Sequence, residues 1–191
     1  MERTDPMNQT IRDIITRRSI RQFETKQIRE EDLAEILTAA KFAPTALNTQ
    51  SLHFTVIRNA KIIAEISAVN KELILAQPDS PVRQRALAED FCNFYHAPTV
   101  IVISSDDLPY GTADAANAAE NICIAAHSLQ LGSCYIASFL PAFSSQEAPR
   151  LLDLLRMPQG KIPRFAVALG YIKGDSPEAP KRKENNVTVI E

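Results

Sequence analysis

The densest group of chemically capable side chains is Arg17-Arg18-Ser19-Ile20-Arg21, which supplies three guanidinium groups and a hydroxyl in one short stretch. A second basic run, Lys181-Arg182-Lys183, lies near the other end of the chain. Arg grips phosphate through a planar fork of N–H donors, whereas Lys acts as a point charge. The glycines, Gly111, Gly132, Gly160, Gly170 and Gly174, form neither GxGxxG nor GxxxxGKS/T, so no backbone cradle for a phosphate is encoded. A phosphorylated ligand would have to be clamped by side chains, and these two runs are the candidates. The plainer alternative is a solvated helix end and a basic tail.

A different polar cluster, Ala43-Pro44-Thr45-Ala46-Leu47-Asn48-Thr49-Gln50, offers hydroxyl and amide groups but no charge. Such a loop suits polyols and carbonyls; read more simply, Pro44 ends a helix and a turn follows. His53, His96 and His127 have neither HxH nor HExxH spacing, so no metal site is expected. Cys92 and His96 stand at i,i+4 just before Pro98, which favours a structural role over a thiolate pair. GxSxG is absent, and the adjacent Asp106 and Asp107 point apart in an extended chain, so hydrolytic machinery is not visible.

The elements that must position these groups follow from periodicity and caps. Asn8 can cap a helix bearing Ile11, Ile14 and Ile15 on one face, which places the arginine cluster at its end. Glu30, Glu31 and Asp32 suit the start of a second helix with Leu33, Ile36, Leu37 and Ala40 as its buried stripe, closed by Pro44. His53 to Arg58, Thr99 to Ser104 and Phe165 to Ile172 are β-branched runs read as strands of a sheet buried on both faces. Thr112 to Gln130, rich in Ala, reads as a long central or interface helix. The segments Gln77 to Ser80 and Phe91 to Pro98 interrupt the pattern and are read as a lid. After Gly174 the chain turns polar and ends in the alternating Val187-Thr188-Val189-Ile190, an arm closing in a strand that pairs with its own sheet or with another subunit's.

With 191 residues, 45% of them hydrophobic, one domain spanning 1–191 can fill a core without disulfides or metals. A formal charge of -2 provides no global basic field for nucleic acid or an anionic membrane. Met1 to Thr10 has no apolar leader core, the apolar runs are too short to span a bilayer, and three cysteines without CxxC spacing suit reduced thiols. A soluble cytoplasmic protein is expected.

Taken in order, Arg17-Arg18-Ser19-Ile20-Arg21-Gln22-Phe23, then Ala39-Ala40-Lys41-Phe42-Ala43-Pro44-Thr45 with Asn48 and Gln50, then Asn121 through Gly132-Ser133-Cys134, resemble the FMN-dependent nitroreductase family over nearly the whole chain. The Lys-Arg-Lys tail before a final alternating stretch fits the same pattern. The resemblance implies an α+β, three-layer fold with a mixed, mainly antiparallel sheet flanked by helices. It further implies a homodimer with FMN at the interface and an arm, about 174–191, exchanged between subunits.

By position, Arg17, Arg18 and Ser19 match residues around the FMN phosphate and ribityl chain, and Arg21 matches the basic residue beside the flavin pyrimidine edge. Pro44, Thr45, Asn48 and Gln50 match the loop reaching the flavin from the other subunit. Tyr135, Ile136, Ala137 and Ser138 match the segment over the ring, where a backbone N–H such as that of Ala137 reaches N5. Lys181 and Lys183 match phosphate-binding positions, with Arg182 replacing either if the register slips by one. The implied activity is ping-pong transfer of hydride from NADH or NADPH to a nitroaromatic, quinone or related electron-poor acceptor, with Arg21 supporting the reduced flavin. Related chemistries on one scaffold, namely substrate dehydrogenation, dehalogenation or flavin degradation, and a non-enzymatic flavin carrier are the alternatives. The chain departs from the family where Gln50-Ser51-Leu52 replaces Gln-Pro-Trp, and it contains no Trp.

Overall fold

A computed structural model of the protein describes residues 7–191; residues 1–6, part of the leading stretch discussed above, lie outside the described residues. The chain runs α1 (Gln9–Thr16), α2 (Glu30–Lys41), a 3-10 turn (Ala46–Asn48), β1 (Leu52–Ile57), α3 (Ala60–Leu75) and α4 (Pro81–Ala86). It continues through β2 (Thr99–Ser105), α5 (Gly111–Ser128), β3 (Gly132–Ile136), a second 3-10 turn (Leu140–Ser144), α6 (Ala148–Leu154) and β4 (Ile162–Gly170). The strands form one antiparallel sheet in the order β1-β2-β4-β3. An isolated parallel bridge joins Ser19 to Ser133, so the segment after α1 runs along β3.

Strand alternation divides the core into two layers. Val100, Val102, Ala166, Ala168, Cys134 and Ile136 face α3, α6 and the second 3-10 turn, while Ile101, Ile103, Val167 and Leu169 face α2 and α5. Side chains of a strand alternate between faces, so a run such as Val100-Ile101-Val102-Ile103 must be covered on both sides. The result is an α+β fold of three layers, helices over sheet over helices. Small residues on α5, Ala115, Ala118, Ala119 and Ala126, are all fully buried and let it lie close against the sheet and α2.

Several expectations are met closely, including the Asn8 cap, whose side chain accepts the Thr10 N–H, and the acidic first turn of α2. Others are corrected. The stretch 91–98 is no lid: Asn93 and Phe94 are fully buried, and Phe94 stacks on Phe139 at 5.6 Å between ring centres. Val187-Ile190 forms no strand within this chain; Val187, Val189 and Ile190 stand exposed on an arm that has no regular structure after Gly170 beyond the Phe23–Ile172 bridge. The Ile11, Ile14 and Ile15 face of α1 exists but is also exposed. Among the described residues no helix is long and apolar enough to cross a membrane.

Candidate functional site

The arginine cluster begins where α1 stops. Arg17 caps that helix and turns the chain outward, and Ile20 then donates its N–H to the Ser133 carbonyl at 2.8 Å, fastening the segment to β3. Gly132 makes this possible, because a Cβ there would meet the Ile20 side chain at 3.0 Å. Arg18 folds back on its own helix, donating to the carbonyls of Arg17 and, at 3.0 Å, Ile15. The Arg17 Nε, sealed from solvent, lies 3.6 Å from the Glu120 carboxylate of α5, an ion pair rather than a hydrogen bond.

Arg21 is held differently. Its Nε donates to the Tyr95 hydroxyl at 3.3 Å, and Nη1 of Arg85 donates to the same oxygen at 3.3 Å. Both guanidinium groups also lie against the Tyr95 ring, at 5.7 and 5.8 Å from its centre. Two cations thus converge on one phenol oxygen, and the bond to Tyr95 raises the Arg21 pKa above its ordinary value. Tyr95 itself sits at φ 54°, a left-handed conformation that is costly for an aromatic residue. Beside this cluster, Ser19, Arg21, Gln22, Lys173, Asp175 and Pro177 line a groove of about 260 Å³.

Tyr135 and Ile136 close β3, and Ala137 and Ser138 follow it in exposed positions. The Tyr135 ring rests on Phe165 at 4.8 Å, and burial pushes its phenol up to about 12, so it remains neutral. Ser138 is fixed from behind by two buried amides: Asn70 donates to its carbonyl at 2.7 Å and Asn93 to its hydroxyl at 3.2 Å. Burial also pushes the Cys134 thiol up, although Arg21, Arg85 and Arg17 pull it the other way.

The loop 43–50 is anchored elsewhere. Asp114, buried in the first turn of α5, accepts the Ala46 N–H at 2.9 Å, and Asn117 donates to the Pro44 carbonyl at 3.3 Å. Thr45 accepts the Gln50 N–H at 3.1 Å, and Gln50 donates to Asn48 at 3.3 Å. Leu47, Asn48 and Gln50 all have positive φ, 55°, 52° and 48°, so the loop is held in a strained shape. It borders an open groove of about 570 Å³ with Lys41 and Phe42.

The cluster 17–21 and the segment 135–138 therefore come together on β3, whereas the loop does not join them. Asp114 precedes Glu120 and His127 by about 9 Å and 20 Å along the helix axis, and those two residues meet Arg17 and Thr16. Lys181, Arg182 and Lys183 lie exposed on the arm. Tyr95, Arg85, Lys173 and the anchors Asp114 and Asn117 were not singled out by sequence. Only the acidic residue in the first turn of a long helix carried any local signal.

These groups suit a phosphorylated ligand with a polar chain and a flat ring. Arg17, Ser19 and Arg21 offer guanidinium and hydroxyl groups, and the neutral 135–138 segment offers backbone and aromatic surface.

The nitroreductase family model matches residues 14–171. The chain belongs to the nitroreductase family. A nitroreductase of Bacteroides fragilis NCTC 9343 solved with bound FMN is 31% identical, covers 97% of this chain and 100% of its own, and superposes with a TM-score of 0.89. An FMN-dependent nitroreductase of Clostridium difficile R20291 is 30% identical over 96% of this chain and 100% of its own, with a TM-score of 0.80. A protein of Archaeoglobus fulgidus provisionally named NADH dehydrogenase/NAD(P)H nitroreductase is 31% identical, with 88% of each chain covered. The fold of this nitroreductase-family chain is thus that of proteins that carry FMN.

Proposed function

We propose that this nitroreductase-family chain is an FMN-dependent oxidoreductase that takes electrons from NADH or NADPH and passes them to a nitroaromatic, quinone or related electron-poor acceptor. The observation that carries the reading is the arginine and serine cluster fastened along β3, in a chain of a family whose similar solved structures hold FMN. When bound, FMN accepts hydride from a nicotinamide and gives it up to the acceptor, which makes the kinetics ping-pong.

The chain's own residues bind and polarise. Arg17, Arg18 and Ser19 take the phosphate and adjacent hydroxyls, with Lys181, Arg182 or Lys183 adding charge from an arm. Arg21, held by Tyr95, would place its positive charge beside the flavin edge and lower the cost of the negative charge that gathers on reduction. Tyr135, Ile136, Ala137 and Ser138 would form the wall against which the ring lies. Pro44, Thr45, Asn48 and Gln50 complete the site from a second subunit, because within one chain the loop is anchored away from the cluster.

A homodimer also accounts for apolar surface that one chain leaves open. Ile11, Ile14 and Ile15 on α1, Phe42 and Leu47, at 84% and 92% exposure, and Val187 and Ile190 on the arm would all be covered. In this reading residues 1–191 form one domain, and 174–191 cross to the partner.

The test is the visible spectrum of purified protein before and after anaerobic NADH or NADPH. Bound flavin that bleaches and recovers its colour with a nitroarene or quinone supports the reading. Flavin that neither nucleotide reduces would assign another flavin reaction or a carrier role, and a colourless protein that takes up no FMN would overturn it.

A further inference from the structure

Arg85, on the short helix α4, brings a second cation to the oxygen that holds Arg21. Its Nη1 donates to the Tyr95 hydroxyl at 3.3 Å, and Arg21 Nε donates to the same oxygen at 3.3 Å, so the two nitrogens are at most twice that distance apart. The Arg85 guanidinium lies 5.8 Å from the centre of the Tyr95 ring and 5.7 Å from that of Phe91, and cation–π attraction to both rings orients it. Arg85 and Arg21 are both exposed.

The chain neutralises neither of them. Arg17, Arg29, Arg58, Arg83, Arg150 and Arg164 each pair with a carboxylate, whereas among the described residues no carboxylate pairs with Arg21 or Arg85. Among those residues the Arg85 side chain makes no hydrogen bond besides the one to Tyr95. Two cations gathered on a neutral oxygen repel each other, and a bound carboxylate would offset that repulsion while taking the remaining donors. The arrangement is also held in advance. Tyr95 follows Phe94, which is fully buried against Phe139, and its N–H donates to the Cys92 carbonyl at 3.2 Å. α4 is tied to α3 by Arg83 Nε, which donates to the Leu75 carbonyl at 3.2 Å, and by Lys71, which donates to the Ala88 carbonyl at 2.6 Å. Groups fixed in this way lose little freedom when a ligand binds. The groove that Ser19, Arg21 and Lys173 line includes neither Arg85 nor Tyr95, so Arg85 flanks that groove.

We propose that Arg85 is a specificity-determining residue that selects, among electron-poor acceptors, those carrying a carboxylate, whose oxygens take the Arg85 donors beside Arg21. The inference rests on the placement of Arg21 at the flavin edge proposed above. Reach favours an acceptor's carboxylate over a donor's phosphate. The phosphates of NADH or NADPH are separated from the reacting ring by a ribose, whereas a carboxylate on an aromatic acceptor stands one ring away from the group that is reduced, and Arg85 stands one phenol oxygen away from Arg21. With p-nitrobenzoate as acceptor, NADH, a proton and the nitro compound give NAD⁺, the nitroso compound and water, so the carboxylate anchors and takes no part in the electron transfer.

Two readouts on the flavin-loaded protein test this. In steady-state turnover with NADH, kcat/KM for p-nitrobenzoate should exceed that for p-nitrobenzyl alcohol by at least about tenfold, the size of a charge-assisted contact at an exposed site. In calorimetric titration, benzoate, which is not reduced, should bind at least about tenfold tighter than benzyl alcohol, and added salt should narrow the gap. Arg85→Gln should bring both ratios close to one, and Arg85→Glu should invert them. Arg83→Gln, which removes a neighbouring cation of α4, should leave both ratios in place. Equal handling of acid and alcohol by the wild-type protein, or a preference that survives Arg85→Gln, would overturn the proposal. So would an Arg85→Gln effect on the KM for NADH or on FMN affinity as large as that on p-nitrobenzoate, because the cation would then serve the donor or the cofactor. A protein that takes up no FMN overturns the flavin reading and this inference with it, whereas a reducible flavin without acid preference overturns this inference alone.

Discussion

Asp114 offers the sharpest separation between a loop that merely ends a helix and a loop that belongs to the flavin site. Its buried carboxylate accepts the Ala46 N–H at 2.9 Å and stands in the first turn of α5. A hydrogen bond to a charged group contributes about 1.5–3 kcal/mol, and Ala46 is only half-buried, so water can partly replace the acceptor and the lower part of that range applies. A carboxylate at a helix start adds about 0.3–1 kcal/mol. Asp114→Ala should therefore cost about 2–3 kcal/mol, and in a chain of this size that is a fall of about 5–10 °C in Tm at fixed protein concentration. Asp114→Asn keeps an acceptor oxygen and should lose about half as much.

The loop's left-handed residues, Leu47, Asn48 and Gln50, will relax once this anchor is gone. FMN must then select the competent loop from an ensemble, so its dissociation constant, read from flavin fluorescence quenching, should rise about tenfold for Asp114→Ala. A lowered Tm with unchanged FMN affinity would refute the placement of the loop in the site. No change in either would show that the Asp114 bond does not hold the loop.

Arg21→Met should slow reduction of bound flavin by NADH or NADPH about tenfold in stopped flow while changing FMN affinity less, and equal losses would remove its electrostatic role. Val187→Ser, Val189→Ser and Ile190→Ser together should weaken the dimer by at least about a hundredfold in sedimentation equilibrium, since each buried aliphatic side chain contributes about 1.5 kcal/mol or more; an unchanged constant would mean that the arm is not exchanged. The Arg29 guanidinium holds the Asp32 carboxyl below its usual 3.8, so this pair stabilises the fold above that pH and its contribution fades as pH falls through the depressed value. Asp32→Asn should accordingly lower the urea midpoint at pH 7 by an amount that shrinks as pH falls below 3.8, whereas a deficit independent of pH would exclude the carboxylate charge as its cause. Cys123, buried and pushed up to about 11, should resist thiol reagents at pH 8 until the protein unfolds, and rapid labelling of the native protein would contradict its burial.

The layers of this fold were legible because their signals are local. Asn8 and the acidic start of α2 announce helices, and Val100 to Ile103 announces a strand covered on both faces. β3 escaped because Gly132-Ser133-Cys134 has little intrinsic strand preference; it is a strand only because β4 and the segment at Ser19 pair with it. The 91–98 segment misled for the opposite reason. Its irregular backbone resembles a mobile loop, yet Phe94 drives it into the core and the Asn70–Asn93 contact at 3.1 Å satisfies its buried polar groups.

The candidate site was legible as residue types and illegible as geometry. Nothing in Arg21 foretells Tyr95, which lies far along the chain and supplies the oxygen that Arg21 and Arg85 share. Periodicity identifies the Ile11, Ile14 and Ile15 face but cannot say whether its cover comes from the same chain. α5 anchors the arginine segment and the 43–50 loop at different points along its length, and apolar residues are exposed near both. In the dimer proposed above, the loop of one subunit meets the arginines of the other. On that proposal the exposed arm and the exposed face of α1 would belong to one interface, and a variant that separates the subunits should release FMN in the same step.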